Sequence, residues 1–164
     1  MNTFPLKSTI TAALFAGTLF TAGAALKVGD TLPDLGSFKL DGKLPASLQG
    51  KVVVVDFWAS WCLPCAESFP VLDELQKKYG ARLVVVGVNV DEKPSDMAGF
   101  LKKHQVSFTI VRDAEQKLVA VAEPATMPTS FILGTDGTVR FLHNGFHGAE
   151  TAKEYTAEIE SLLK

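Results

Sequence analysis

Apolar positions along this chain follow two spacings, and each predicts a different kind of element. KVVVVDFW (51–58) and RLVVVGVNV (82–90) are apolar at nearly every position, as strands covered on both faces require. Between them Phe69, Leu72, Leu75 and Tyr79 recur at near-helical spacing, which predicts a helix from about Pro64 to Tyr79 with Gly80 as its stop. Met97, Phe100 and Leu101 place a second helix over 94–104, and VSFTIV (106–111) reads as a strand followed by a short helix near 114–122. TSFILG and TVRFLH are joined by Thr135-Asp136-Gly137, a hairpin turn. Ala152, Tyr155, Ile159 and Leu162 mark the buried face of a last helix. Upstream, LKVGDTLPDLGSFKLDGKLPASLQGK (26–51) reads as loops and short strands, with Asp41-Gly42 turning a hairpin between FKL and KLP. Strand–helix–strand, then helix and strand, then hairpin and helix predict an α/β fold with a mixed sheet flanked by helices.

The first 24 residues break this pattern. Lys7 precedes the uncharged apolar run ITAALFAGTLF (10–20), and small residues follow it. That is the layout of a secretory signal, with cleavage expected after Ala22-Gly23-Ala24. The rival is an uncleaved membrane anchor, since residues 8–26 are just long enough to span, although Thr and Gly dilute them. No cysteine follows the run, so lipid attachment is excluded. The expected division is therefore a signal peptide over 1–24 and one domain over 25–164. The mature chain would sit in an oxidising compartment, a periplasm being the natural one.

Composition changes the picture little. Hydrophobic content of 47% and charged content of 21% are those of a globular protein. A net charge of −2 without a basic stripe excludes a nucleic-acid surface.

The chemistry lies in WASWCLPC (58–65), which holds both cysteines of the chain. A bridge from Cys62 to Cys65 closes almost no loop and so stabilises little. Cys62 falls where strand gives way to helix, so its sulfur meets the positive end of the helix dipole and unpaired amides, which favour thiolate. Pro64 suits the first helical turn. Cys65 lies one turn along the same face, where helical β-carbons are ~5–6 Å apart against the ~3.5–4.5 Å of a relaxed disulfide. Dithiol and disulfide can thus be close in energy, as a redox shuttle requires. Cys62 is expected to be exposed and Cys65 covered. Asp56 ends an apolar strand and is either an exposed strand end or a buried acid; burial would raise its pKa towards neutrality, where it could transfer protons. A zinc site would need two further ligands. His143 and His147 do not share a helical face and read as solvated or loop residues, and His104 as a surface residue. No metal and no cofactor is expected.

DFWASWCLPC resembles the active-site block of thioredoxin-fold proteins, and TMPTSFIL (126–133) their proline loop. The signal, the opening VGDTLPDLGSF and an insert across 94–124 are similar to the periplasmic TlpA/ResA-like branch. The resemblance implies a thioredoxin fold with an N-terminal hairpin and a central insert. It further implies that Cys62 attacks, Cys65 resolves and Asp56 assists proton transfer at Cys65. Pro128 would be cis and face the sulfurs, with the Met127 backbone pairing with an extended substrate beside Trp61. Protein disulfides would be the substrates and a membrane protein the electron donor, for a monomeric domain. Two positions depart from the relatives. Gly87 stands where cytoplasmic thioredoxins carry a lysine beside the buried acid. Ser68 stands where many periplasmic relatives carry Glu, and Glu67, one position earlier, points about 100° away on a helix and is expected to be solvated.

The reading is a thiol:disulfide oxidoreductase acting as a reductase of protein disulfides such as those of apocytochrome c. A disulfide-forming oxidant and a Cu(I)-handling protein are the alternatives. A thiol peroxidase is not supported, because Val55 and Ala59 occupy the Pro and Thr places of its P-x-x-x-T-x-x-C pattern.

Overall fold

The computed structural model describes residues 25–164; the expected signal peptide (1–24) lies outside that range, as do all but the last two residues of the rival anchor (8–26). Six strands form one sheet: β1 (Asp41–Gly42), β2 (Val52–Trp58), β3 (Leu83–Asn89), β4 (Thr109–Arg112), β5 (Thr129–Leu133) and β6 (Val139–Asn144). Four helices accompany them: α1 (Leu63–Tyr79), α2 (Pro94–Lys103), α3 (Lys117–Ala122) and α4 (Ala149–Leu162). The strand order is β1-β4-β3-β2-β5-β6. β2, β3 and β4 run parallel, while β5, β6 and β1 are antiparallel to their neighbours. This is the mixed sheet of a thioredoxin fold, with residues 94–124 building α2, β4 and α3.

β2 and β3 are buried at all seven positions each, which explains their lack of alternation. Alternate β2 side chains feed two cores. Val52, Val54 and Trp58 meet α1, α2 and α4 through Phe69, Leu72, Phe100, Tyr155 and Ile159. Val53, Val55 and Phe57 meet α3 and the N-terminal segment through Leu118, Ala122, Leu32 and Leu35. α1 begins one residue before Pro64 and continues through Pro70, which removes one backbone hydrogen bond from its middle. No helix among the described residues is long and apolar enough to cross a membrane.

The N-terminal hairpin is not formed. Asp41 and Gly42 instead make a two-residue edge strand, pairing with Arg112 and Val111 of β4. Gly42 has φ +122°, and a Cβ there would lie 2.9 Å from the Ile110 carbonyl oxygen, so the close approach to β4 explains this glycine as well as a turn would. An ion pair between Arg112 and Asp41 at 2.5 Å fastens the edge. β4 also starts later than expected, because Ser107 is held by Asp73 of α1 through its amide at 2.6 Å and its hydroxyl at 2.7 Å. The following helix begins at Lys117, its first turn anchored by Asp113, which accepts from the Lys117 and Val119 amides.

Phe69 is the centre of an aromatic cluster, edge-on to Trp58 at 4.8 Å and to Phe100 and Phe108 at 5.3 Å each. Phe69→Ala is expected to cost about 3–5 kcal/mol. Urea unfolding of the oxidised protein checks this, and a loss below about 1 kcal/mol would mean that the cluster can close over the gap.

Candidate active site

β2 leaves the sheet at Trp58, and residues 59–61 turn the chain into α1. The Cys62 amide donates to the Ala59 carbonyl at 3.1 Å. The Ser60 amide is shared between both carboxylate oxygens of Asp91 at 3.1 Å each, and the Ser60 hydroxyl donates to Oδ1 at 3.1 Å. Asp91 is itself held by the side chain of Asn89 at 2.8 Å. Arg112 donates from Nη1 to the carbonyls of Asp91 and Glu92, at 3.3 and 2.9 Å. The turn before Cys62 is thus tied to the ends of β3 and β4.

Cys62 is the N-cap of α1, its Sγ accepting from the Cys65 amide at 3.2 Å. The two cysteines form a disulfide with their Cα atoms 5.3 Å apart. Cys65 is fully buried, as expected, but Cys62 is only 6% exposed, which corrects the expectation of an open sulfur. The solvent-facing positions belong to Trp61 and Leu63, 72% and 73% exposed. A groove of about 450 Å³ runs beside Cys62 between α1 and α2, with Trp61, Leu63, Ala66, Phe100 and Lys103 in its walls.

Asp56 is a buried acid, with no exposure to solvent. It lies opposite Ser130 in the β2–β5 register and opposite Gly87 in the β2–β3 register. Ser130 Oγ donates to Asp56 Oδ1 at 2.5 Å and meets the Tyr155 hydroxyl of α4 at 2.6 Å. Burial pushes the Asp56 carboxyl from its ordinary 3.8 up to about 7, against the opposing pull of the Ser130 hydrogen bond. The position opposite Asp56 on β3 is closed to any side chain. A Cβ on Gly87 would come within 2.8 Å of Ile110 Cδ1 and 3.1 Å of both Phe108 and the Trp58 indole nitrogen. Ser68 turns its hydroxyl back onto the Cys65 carbonyl at 3.1 Å, and Glu67 faces solvent.

The Met127-Pro128 peptide is cis. β5 starts directly after it, with Thr129 opposite Phe57, so the proline loop stands at the end of β2 from which the chain runs on to Cys62. Met127 packs against the core cluster that contains both cysteines. His143 was expected in solvent or a loop, but it lies on β6, packed edge-on against Tyr155 at 4.9 Å and bonded to Glu158 at 2.6 Å. A strand carrying it past α4 makes that pairing. His104 stacks on Phe100 at 4.3 Å, so it is half-buried and not a free surface residue.

Asp91, Ser130 and Tyr155 are the residues that pattern reading passed over. Ser130 had a signal: it is a hydroxyl in a strand that is otherwise apolar beyond Thr129, on the same side as Ile132. Tyr155 was legible only as a core position, and Asp91 carries no local mark.

A disulfide at a helix N-cap, with a buried acid on the preceding strand and a cis-proline loop at the same sheet end, defines a thiol-disulfide oxidoreductase of the thioredoxin fold. The redoxin family model matches residues 27–159, and the chain belongs to that family. Among curated relatives, thiol-disulfide oxidoreductase ResA of Geobacillus thermodenitrificans is 29% identical over 144 residues, covering 86% of this chain and 83% of its own. Thioredoxin-like protein YneN of Bacillus subtilis is 32% identical over 126 residues, 73% of each chain. Among solved structures, a Chlorobium tepidum chain described as a thiol:disulfide interchange protein, DsbE, superposes with a TM-score of 0.78 at 36% identity, covering 85% of this chain and all of its own, 100%.

The buried acid makes stability depend on pH. Unfolded, Asp56 ionises near 3.8; folded, it keeps its proton to about 7. Between those values the folded state binds the extra proton, so stability falls as pH rises and the loss is complete above the folded midpoint. Asp56→Asn should therefore gain on wild type by on the order of 4 kcal/mol between pH 4 and pH 8. Urea melts of both proteins across that range check it; a constant difference would show that Asp56 ionises normally in the fold.

Proposed function

We propose that this protein is a reductase of protein disulfides outside the cytoplasm, exported by residues 1–24 and working as a monomer recharged by a membrane dithiol protein. Disulfides of apocytochrome c are a substrate class that fits this role. The observation that carries the reading is a disulfide whose Cys62 caps α1, preceded on β2 by a fully buried acid, Asp56, with Gly87 and not a cation opposite it; burial pushes that carboxyl up to about 7. The capping amide and the helix dipole favour a Cys62 thiolate. A buried carboxylate without a lysine opposite it resists a strongly stabilised thiolate, which favours reducing over oxidising chemistry.

In the forward direction the Cys62 thiolate attacks one sulfur of a substrate disulfide. That bond breaks, a mixed disulfide forms, and the first substrate thiolate leaves and takes a proton. Cys65 then gives its proton to Asp56 and attacks Cys62 Sγ. The mixed disulfide breaks, the second substrate thiolate departs, and the two electrons of the dithiol now rest on the substrate. The product form of the enzyme is the Cys62–Cys65 disulfide. Trp61 and the Met127 backbone before Pro128 hold the extended substrate segment across the sulfurs, Met127 through strand-like hydrogen bonds.

Two experiments test the roles and one tests the direction. Cys65→Ser should accumulate mixed disulfides with substrate and Cys62→Ser should not; the opposite pattern exchanges the two roles. Asp56→Asn should slow resolution of the mixed disulfide by about 10²-fold and leave the first attack nearly unchanged, as read by stopped-flow fluorescence. A reduction potential near the thioredoxin value of about −270 mV supports a reductase, whereas one near about −120 mV makes the protein an oxidant.

A further inference from the structure

We propose that Ser130 and Tyr155 form a directed hydroxyl chain that stabilises the ionised form of Asp56, doing with two neutral donors what a facing cation would otherwise do. They are positioning residues, and the inference rests on the reading of Asp56 as the proton acceptor only for its catalytic consequence.

A count of protons sets the direction of the chain. Ser130 Oγ stands between Asp56 Oδ1 at 2.5 Å and the Tyr155 hydroxyl at 2.6 Å, and it has a single hydrogen to give. With Asp56 ionised, Tyr155 donates to Ser130 and Ser130 donates to the carboxylate, so every O–H has an acceptor. With Asp56 neutral, one O–H is always left over. A proton on Oδ2 finds no acceptor, because that atom is buried without a hydrogen-bond partner among the described residues. A proton on Oδ1 must be donated to Ser130, which turns the chain round and leaves the Tyr155 hydrogen unplaced, since its hydroxyl meets Ser130 alone among those residues. An orphaned buried donor is costly, so the chain opposes the protonation that burial favours. Tyr155 is suited to the terminal position. Its burial, and then the charge of Asp56, hold the phenol above its ordinary 10, so it remains a donor throughout the working range.

The other ionisable groups at this place are few. α4 contributes Tyr155 with Glu154 and Glu158, and β6 contributes His143 behind the Tyr155 ring, its Nδ1 3.6 Å from Glu154 and its Nε2 2.6 Å from Glu158; Cys62 and Cys65 are joined in the disulfide and do not titrate in the oxidised protein. β3 contributes only Gly87 opposite Asp56, and β5 only Ser130.

The direct test is titration of the Asp56 carboxyl by ¹³C NMR in the oxidised protein, assigned with Asp56→Asn. Ser130→Ala should raise the midpoint by about one to two pH units and Tyr155→Phe by about half a unit. Ser130→Thr, which keeps the hydroxyl, should restore it, and His143→Gln should leave it in place. Midpoints that ignore Ser130→Ala, or that follow His143→Gln as strongly, would overturn the chain. The mixed-disulfide resolution rate, measured against pH, should shift its midpoint in parallel. If the carboxyl midpoint moves while Asp56→Asn leaves resolution unchanged, the chain stands and the catalytic reading of Asp56 falls.

Discussion

Strand β2 is hydrogen-bonded along both edges, in parallel to β3 and antiparallel to β5, and both of its faces are covered. A strand so enclosed can carry a polar side chain only where a neighbour satisfies it. The antiparallel register supplies that neighbour, because residues directly opposite project to the same side of the sheet. Asp56 therefore meets Ser130, and β5 must begin with the proline loop at the sheet end that leads to Cys62. A slip of one residue would turn Asp56 into the α3 core and carry its partner away from it. The acid, the loop and the cysteines are assembled by this one pairing.

Much of this was legible in the residues themselves. β2, β3 and α1 announce their burial through unbroken apolar runs and helical spacing, and a cysteine before Leu-Pro-Cys at a strand–helix boundary is a strong local signal. What escaped was set by contacts distant along the chain. Asp41-Gly42 has turn chemistry, yet Arg112, far along in sequence, claims it for an edge strand. β4 begins later than its apolar run suggests because Asp73 holds Ser107 outside the ladder. His143 reads as polar and so as solvated, and only α4 packing across β6 gives it Glu158 and Tyr155. Asp56 was readable as an acid in an apolar strand, but its hydroxyl partners come from two other elements, and no spacing rule joins them.

The site is also braced from behind. Asp91 grips the Ser60 amide, and Arg112 joins the backbone beside Asp91 to Asp41 on the sheet edge. Several charge-assisted contacts thus converge on the turn preceding Cys62, while Trp61 and Leu63 on either side of that cysteine face solvent. Hydrogen-bonded and ion-paired groups lie under the sulfurs and exposed apolar surface lies beside them.

Because Cys62 caps α1 with its own sulfur, the state of the bond and the integrity of the helix are linked properties. A thiolate accepts an amide hydrogen more strongly than a disulfide sulfur does. Folding and reduction then form two sides of one thermodynamic cycle. Any change that lets the start of α1 hold a thiolate more firmly makes the reduced protein harder to unfold, and by the same amount makes its disulfide easier to reduce, each ~30 mV corresponding to ~1.4 kcal/mol of that difference. The electron affinity of this protein can thus be weighed on a denaturation curve, as the stability by which its dithiol form exceeds or falls short of its disulfide form.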